Sequence, residues 1–141
     1  MSIYVDVHSH ENEGFKVLVE YQSWRTAVLN SSKTTKPESL SYIEKHNETD
    51  EVFLLLKGRA YLIIGGYGQM PGDGKPSALD IIPLDLLKTY NVKAKVWHGV
   101  IMSDDASVYI VENADTSREN SGYRDLTGEE KDYVKRKQHI Y

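Results

Sequence analysis

Along this chain, short runs of aliphatic and aromatic residues repeat at period two and are broken by turn-forming residues, a pattern of strands. In 15–21 (FKVLVEY), Phe15, Val17 and Val19 share one face, and Lys16, Leu18 and Glu20 the other. The run 25–30 (RTAVLN) follows after a short connection, and 39–46 (SLSYIEKH) alternates again. Runs 51–58 (EVFLLLKG) and 59–66 (RAYLIIGG) meet at Lys57-Gly58, where a glycine supplies the positive φ of a tight hairpin. The segment 67–77 (YGQMPGDGKPS) is too rich in Gly and Pro for regular structure and reads as a loop. Strands are expected again at 78–83, 89–92, 96–102 and 107–112, with turns at Asp85-Leu86-Leu87 and Asp104-Asp105. The tail breaks the pattern: Thr127 as N-cap and Glu130 three residues on form a capping box. Acidic residues at its start and Lys135, Arg136 and Lys137 at its end suit a helix dipole, so one short C-terminal helix is expected.

Many short strands with little helix and no βαβ alternation define an all-β sandwich or barrel. A closed barrel removes exposed edges and leaves an interior that can hold one small ligand. The length of 141 residues fits one domain spanning 1–141. The absence of cysteine excludes disulfides, thiolate metal sites and a cysteine nucleophile, and fits a reducing compartment. The first residues carry neither a basic nor an apolar leader region, and the longest apolar runs, 52–56 and 61–64, fall far short of the ~20 residues of a membrane span. A cytoplasmic protein with no membrane partner is therefore expected. The net charge is −4 and the basic residues are dispersed; the one cluster, 131–137 (KDYVKRK), is interrupted by Asp132 and follows Glu129 and Glu130. No basic face for nucleic acid is present in this pattern.

The segment 46–58 (HNETDEVFLLLKG) carries the chemistry. His46 and Glu51 flank an expected turn, and His98 sits in a later strand beside Trp97. Two imidazoles and a carboxylate on adjacent strands can bind a divalent first-row metal and leave positions open. Here the sequence resembles the cupin superfamily. His46 matches the second His of the first cupin motif; four residues separate it from Glu51, and six separate Glu51 from Gly58. The segment 89–100 (TYNVKAKVWHGV) is similar to the second motif, with His98 as its His. The resemblance covers roughly 42–113 and implies a cupin-type β-barrel, a double-stranded jelly roll, followed here by the short C-terminal helix. It also implies a metal held by His46, Glu51 and His98.

The sequence departs from the motif in three places. Glu44 stands where the first His is expected, Lys93-Ala94-Lys95 replaces the Pro-x-Gly turn, and the Gly ahead of the first motif is missing. With Glu44 as a fourth ligand, two carboxylates and two imidazoles would favour Mn, Fe, Ni or Zn over copper. With Glu44 in solvent, the metal would be lost; both alternatives stay open. Tyr42, Phe53, Tyr61 and Trp97 are aromatic residues that would either line the ligand pocket or fill the core. His8-Ser9-His10 alternates attractively, but its following carboxylates, Glu11 and Glu13, lie in a polar stretch with no strand behind them.

The resemblance implies a metal-dependent isomerase, lyase or dioxygenase acting on a small polar metabolite such as a sugar or organic acid. A weaker similarity links 89–100 followed by 108–123 to small cupins grouped with ureidoglycolate-processing proteins. The alternative is a metal-free barrel that binds such a molecule without catalysis. Small cupins commonly dimerise through edge strands, and 15–21 would be such an edge in a homodimer.

Overall fold

The computed structural model describes residues 2–67 and 79–140. Among the described residues, ten strands lie in two antiparallel sheets. They are β1 (Gly14–Tyr21), β2 (Trp24–Asn30), β3 (Tyr42–His46), β4 (Glu51–Lys57), β5 (Ala60–Gly66), β6 (Asp80–Pro83), β7 (Thr89–Val92), β8 (Trp97–Met102), β9 (Ser107–Asn113) and β10 (Ser121–Asp125), followed by helix α1 (Gly128–Lys137). The first sheet runs β1-β2-β9-β4-β7 and the second β10-β3-β8-β5-β6. Among strands that follow one another in sequence, β1–β2 and β5–β6 pair; the others change sheets between neighbours, as in a jelly roll. Most of the 67–77 loop lies outside the described residues, as does Ala78 of the strand expected at 78–83.

The Lys57-Gly58 connection is therefore a corner and not the hairpin expected from the sequence, because β4 pairs with β7 and β9 while β5 pairs with β6 and β8. Gly58 still has the positive φ, +77°, and its Cα hydrogens face Ala106: a Cβ there would lie 2.5 Å from Ala106 Cα. The same applies to His46 and Glu51, which sit in opposite sheets and not in one hairpin.

Strand alternation places Phe53, Leu55, Leu62, Met102, Val108 and Ile110 between the sheets, where they form the main core. The second sheet is also buried on its outer face. Ile43, Ile63, Trp97 and Ile101 pack there against Leu126, Val134 of α1 and Ile140. Full burial of each such aliphatic side chain contributes roughly 1.5–3 kcal/mol. The helix starts as expected: Thr127 Oγ1 accepts from the Glu130 amide, and Glu130 Oε1 accepts from the Thr127 amide. Glu130 is fully buried and takes both guanidinium nitrogens of Arg124, at 2.9 Å each. The tail beyond α1 is tied down by Arg59, which donates to the carbonyls of His139 and Ile140, and by Tyr61, whose hydroxyl accepts from the His139 amide.

Candidate functional site

Four expected residues meet at one point inside the barrel. Glu44 and His46 stand two apart on β3 and so share its inner face. Glu44 is the register partner of His98 on β8, which brings the His98 ring beside them. Glu51 opens β4 on the opposite sheet and points back across the interior. His98 Nε2 lies 2.9 Å and His46 Nε2 3.1 Å from the same Glu51 oxygen, Oε1, and His46 Nε2 lies 3.6 Å from Glu44 Oε1. The imidazoles meet edge to face with centroids 5.3 Å apart, and Phe53 closes the other side of His98 at 6.0 Å.

The outer nitrogens are held as well. His98 Nδ1 donates to the Val96 carbonyl at 2.9 Å, and His46 Nδ1 pairs with Ser121 Oγ at 2.8 Å. A carbonyl can only accept, so His98 keeps its proton on Nδ1 and presents Nε2 to the carboxylates. When Nε2 also donates to Glu51, the ring is an imidazolium. The electrostatics agree. Burial opposes charge on Glu51, but the hydrogen bonds from His46 and His98 outweigh it and hold the carboxyl at about 2. Burial likewise lowers both histidines, and the Glu51 hydrogen bond overrides it, so both are raised. Glu44 is raised, chiefly by burial.

The donor set fits a divalent cation. One ligand atom from each of Glu44, His46, Glu51 and His98 can be chosen so that all lie within 4.8 Å of one another. Metal–ligand bonds of about 2.0–2.2 Å put neighbouring ligands about 3 Å apart, which matches the 2.9 and 3.1 Å separations. Two carboxylates would also balance the 2+ charge.

This cluster forms one wall of a cavity of about 400 Å³ that opens to solvent. Tyr42 and Phe53 line it, with Tyr42 at the mouth in edge-to-face contact with Tyr123 at 5.9 Å. Tyr61 and Trp97 do not line it. Both occupy the odd phase of their strands and point to the outer face of the second sheet, where Trp97 packs with Ile101 and carries Lys45 Nζ 5.0 Å above its ring. His8 and His10 lie elsewhere, His10 Nε2 meeting the Gly14 carbonyl at 2.8 Å.

Sequence reasoning missed a charged pair beside Glu51 on the first sheet. Arg25 and Glu112 are register partners on β2 and β9, and the guanidinium reaches Glu112 Oε2 at 2.5 Å. Glu112 is 6% exposed; burial first, and then the Glu51 charge nearby, push its carboxyl up despite Arg25. The signal was present in SVYIVEN, where Val108, Ile110 and Glu112 share the inward phase, so a carboxylate continues an apolar stripe. Arg118, at the mouth, lies with its guanidinium carbon 5.3 Å over the Tyr123 ring.

No protein-family model and no curated protein matches the chain by sequence. Solved structures match its fold. A cupin-2 domain protein from Shewanella frigidimarina NCIMB 400 is 16% identical, over 74% of this chain and 84% of that one, with a TM-score of 0.51. A variant of Streptomyces Pac13 with uridine, a protein described as a nucleoside dehydratase, has a TM-score of 0.59 at 9% identity over 92% and 96%. KdgF from Halomonas sp. has a TM-score of 0.51 at 9% identity over 84% and 94%. The chain is a small cupin in fold: a jelly-roll barrel of two antiparallel sheets with one short C-terminal helix. Among the described residues no helix is long and apolar enough to cross a membrane.

Proposed function

We propose that this cupin holds a divalent metal through Glu44, His46, Glu51 and His98 and acts in the cytoplasm as an isomerase, lyase or dioxygenase on a small polar metabolite. The observation that carries the reading is the convergence of two Nε2 atoms and two carboxylates on one wall of an open cavity. When bound, the metal would act as a Lewis acid on a substrate carbonyl or hydroxyl; Mn, Fe, Ni or Zn suit this set. The chain's own residues supply the rest. Glu112, whose carboxyl burial pushes upward, faces the same cavity and is placed to exchange a proton with a bound molecule. Tyr42, Tyr123 and Arg118 at the mouth offer two aromatic rings and a cation, which suits a ring-bearing or acidic small molecule. The uridine bound to the Streptomyces protein of like fold is such a molecule.

One observation favours a metal-free binding protein instead: every ring nitrogen of His46 and His98 has a hydrogen-bond partner within the protein. Metal analysis of the purified protein separates the two. The first reading expects stoichiometric Mn, Fe, Ni or Zn that disappears in His98→Ala, with a rise in thermal stability on adding the ion. Metal-free protein whose melting does not respond to divalent ions would overturn it. Glu44→His tightens metal binding if Glu44 is a ligand.

A further inference from the structure

The turn that leads into His98 is built against the local preference of its residues. It links β7 on the first sheet to β8 on the second, and the Val96 amide closes it on the Lys93 carbonyl at 3.2 Å. Its third residue, Lys95, has a φ of +70°. That is the left-handed region, which glycine enters freely and a residue with a Cβ does not. A Pro-x-Gly turn would supply this shape from its own residues. Lys93-Ala94-Lys95 has neither proline nor glycine, so the shape must be imposed from outside.

The segment between His46 and Glu51 imposes it. Asp50, which directly precedes Glu51, accepts the Ala94 amide on Oδ1 at 2.8 Å and the Asn91 side-chain amide on Oδ2 at 3.0 Å. The His46 carbonyl accepts the Lys95 amide at 2.7 Å. The register of β4 on β7 ends at Glu51↔Val92. The Asp50 carboxylate therefore continues the ladder past its last pair, where the chain leaves for the other sheet. Its own backbone is anchored in turn. Thr49 Oγ1 donates to the Asp50 carbonyl at 2.6 Å and accepts from the Asn113 amide at 3.0 Å, and Asn113 Nδ2 donates to the Glu48 carbonyl at 3.0 Å. From the turn the geometry passes to the ring. The Val96 carbonyl receives His98 Nδ1 at 2.9 Å, and Nε2 of the same ring meets Glu51 Oε1 at 2.9 Å.

We propose that Asp50 is a positioning residue: by holding the 93–96 turn in its left-handed form, it sets the Val96 carbonyl and, through it, the orientation of the His98 ring towards Glu51. Asp50 is exposed and does not line the cavity, so it acts on the site only through the turn. A carboxylate that fixes a ring through its outer nitrogen belongs to the supporting layer of a metal site, where substitutions commonly weaken metal binding about 10–100-fold. This role presumes that His46, Glu51 and His98 form the working site, but it does not require a bound ion.

Nitrogen NMR of the imidazoles in chelator-treated protein, with Zn²⁺ affinity measured against a competing chelator, tests this. Asp50→Ala should shift the His98 ring nitrogens, speed exchange of the Ala94 amide, and weaken Zn²⁺ binding about 10–100-fold. Lys95→Gly takes the left-handed shape without help. Combined with Asp50→Ala, it should restore the ring signals and most of the affinity. Lys95→Ala removes the same charge but keeps a Cβ, and in the same combination it should restore neither. Asp50→Asn keeps Oδ1 as an acceptor and should stay close to wild type. Both positions are exposed, and every variant should keep the wild-type circular dichroism. Unchanged His98 signals in Asp50→Ala overturn the proposal. Shifted signals that Lys95→Gly fails to restore, or that Lys95→Ala restores equally, also overturn it, since loosening of the fold or lost charge then accounts for them. A wild type that binds none of Zn²⁺, Mn²⁺, Fe²⁺ and Ni²⁺ removes the metal reading, and the ring signals then decide the role of Asp50 alone.

Discussion

Replacing Glu51 with Gln in chelator-treated protein removes the charge that organises the site while keeping the side chain's shape. Glu51 is 6% exposed and its carboxyl is held at about 2, against an ordinary 4.5, by hydrogen bonds from His46 and His98 that outweigh its burial. Where both imidazoles are charged, that difference corresponds to about 3 kcal/mol of native-state stability. The pH dependence has two limbs. The lowered carboxyl contributes stability that is present above 4.5 and lost as pH falls towards about 2. The raised histidines contribute stability that is present below 6.5 and lost as pH rises through their folded-state values. These limbs describe one interaction from its two sides, so they are not summed. Urea unfolding of the metal-free wild type and Glu51→Gln should therefore differ most between 4.5 and 6.5, by about 3 kcal/mol, and converge on either side. A difference that is flat with pH, or under about 1 kcal/mol at its largest, would refute the ion-paired site. Metal affinity should follow the opposite trend on the alkaline limb, rising as the imidazoles lose their protons.

Arg25→Met strips the counter-charge from Glu112, whose side chain is 3% exposed, and should cost about 3 kcal/mol in urea unfolding at neutral pH. The loss should shrink at acid pH, where Glu112 is protonated. Glu130→Gln breaks the bidentate bond from Arg124; burial works against that carboxylate, but Arg124 and Thr127 hold it below its ordinary value. Its contribution is present above 4.5 and lost on acidification, so the variant should melt lower by about 2 kcal/mol at pH 7 and match wild type in acid. Gly58→Ala forces a side chain into the left-handed region and within 2.5 Å of Ala106 Cα, and calorimetry should show a loss of about 2 kcal/mol or more.

Most strands were legible because both signals they depend on are local: period-two alternation in FKVLVEY and EVFLLLK, and turn residues between runs. The helix was legible for the same reason, since the Thr127–Glu130 box is contained in four residues. What could not be read is which strands pair. Corners at Gly58 and at Asp104-Asp105 look like hairpins in sequence, because a tight reversal needs the same residues whether the chain returns to its own sheet or passes to the other. Strand β10 was missed because SGYRD has no apolar phase; it is an edge strand that pairs with β3 along one side. The alternation that assigns His98 to the interior sends its neighbour Trp97 outward, so expecting both in one pocket was inconsistent with strand geometry. His46 and Glu51 are close in sequence and touch across the two sheets, whereas Arg25 and Glu112 are 87 residues apart and meet only through the β2–β9 register.

The charged groups of the cavity come from both layers: Glu51 and Glu112 from one sheet, Glu44, His46 and His98 from the other. At the other end the layers meet in close packing around Ala106 and Met102, whereas here the hydrogen bonds of Glu51 to His46 and His98 tie one sheet to the other across the interior. Whatever sits among those charges sets the gap between the layers. Its arrival or departure should be felt as breathing of the rim, with faster amide exchange at 44–46 and 51–53, well before the molecule as a whole unfolds.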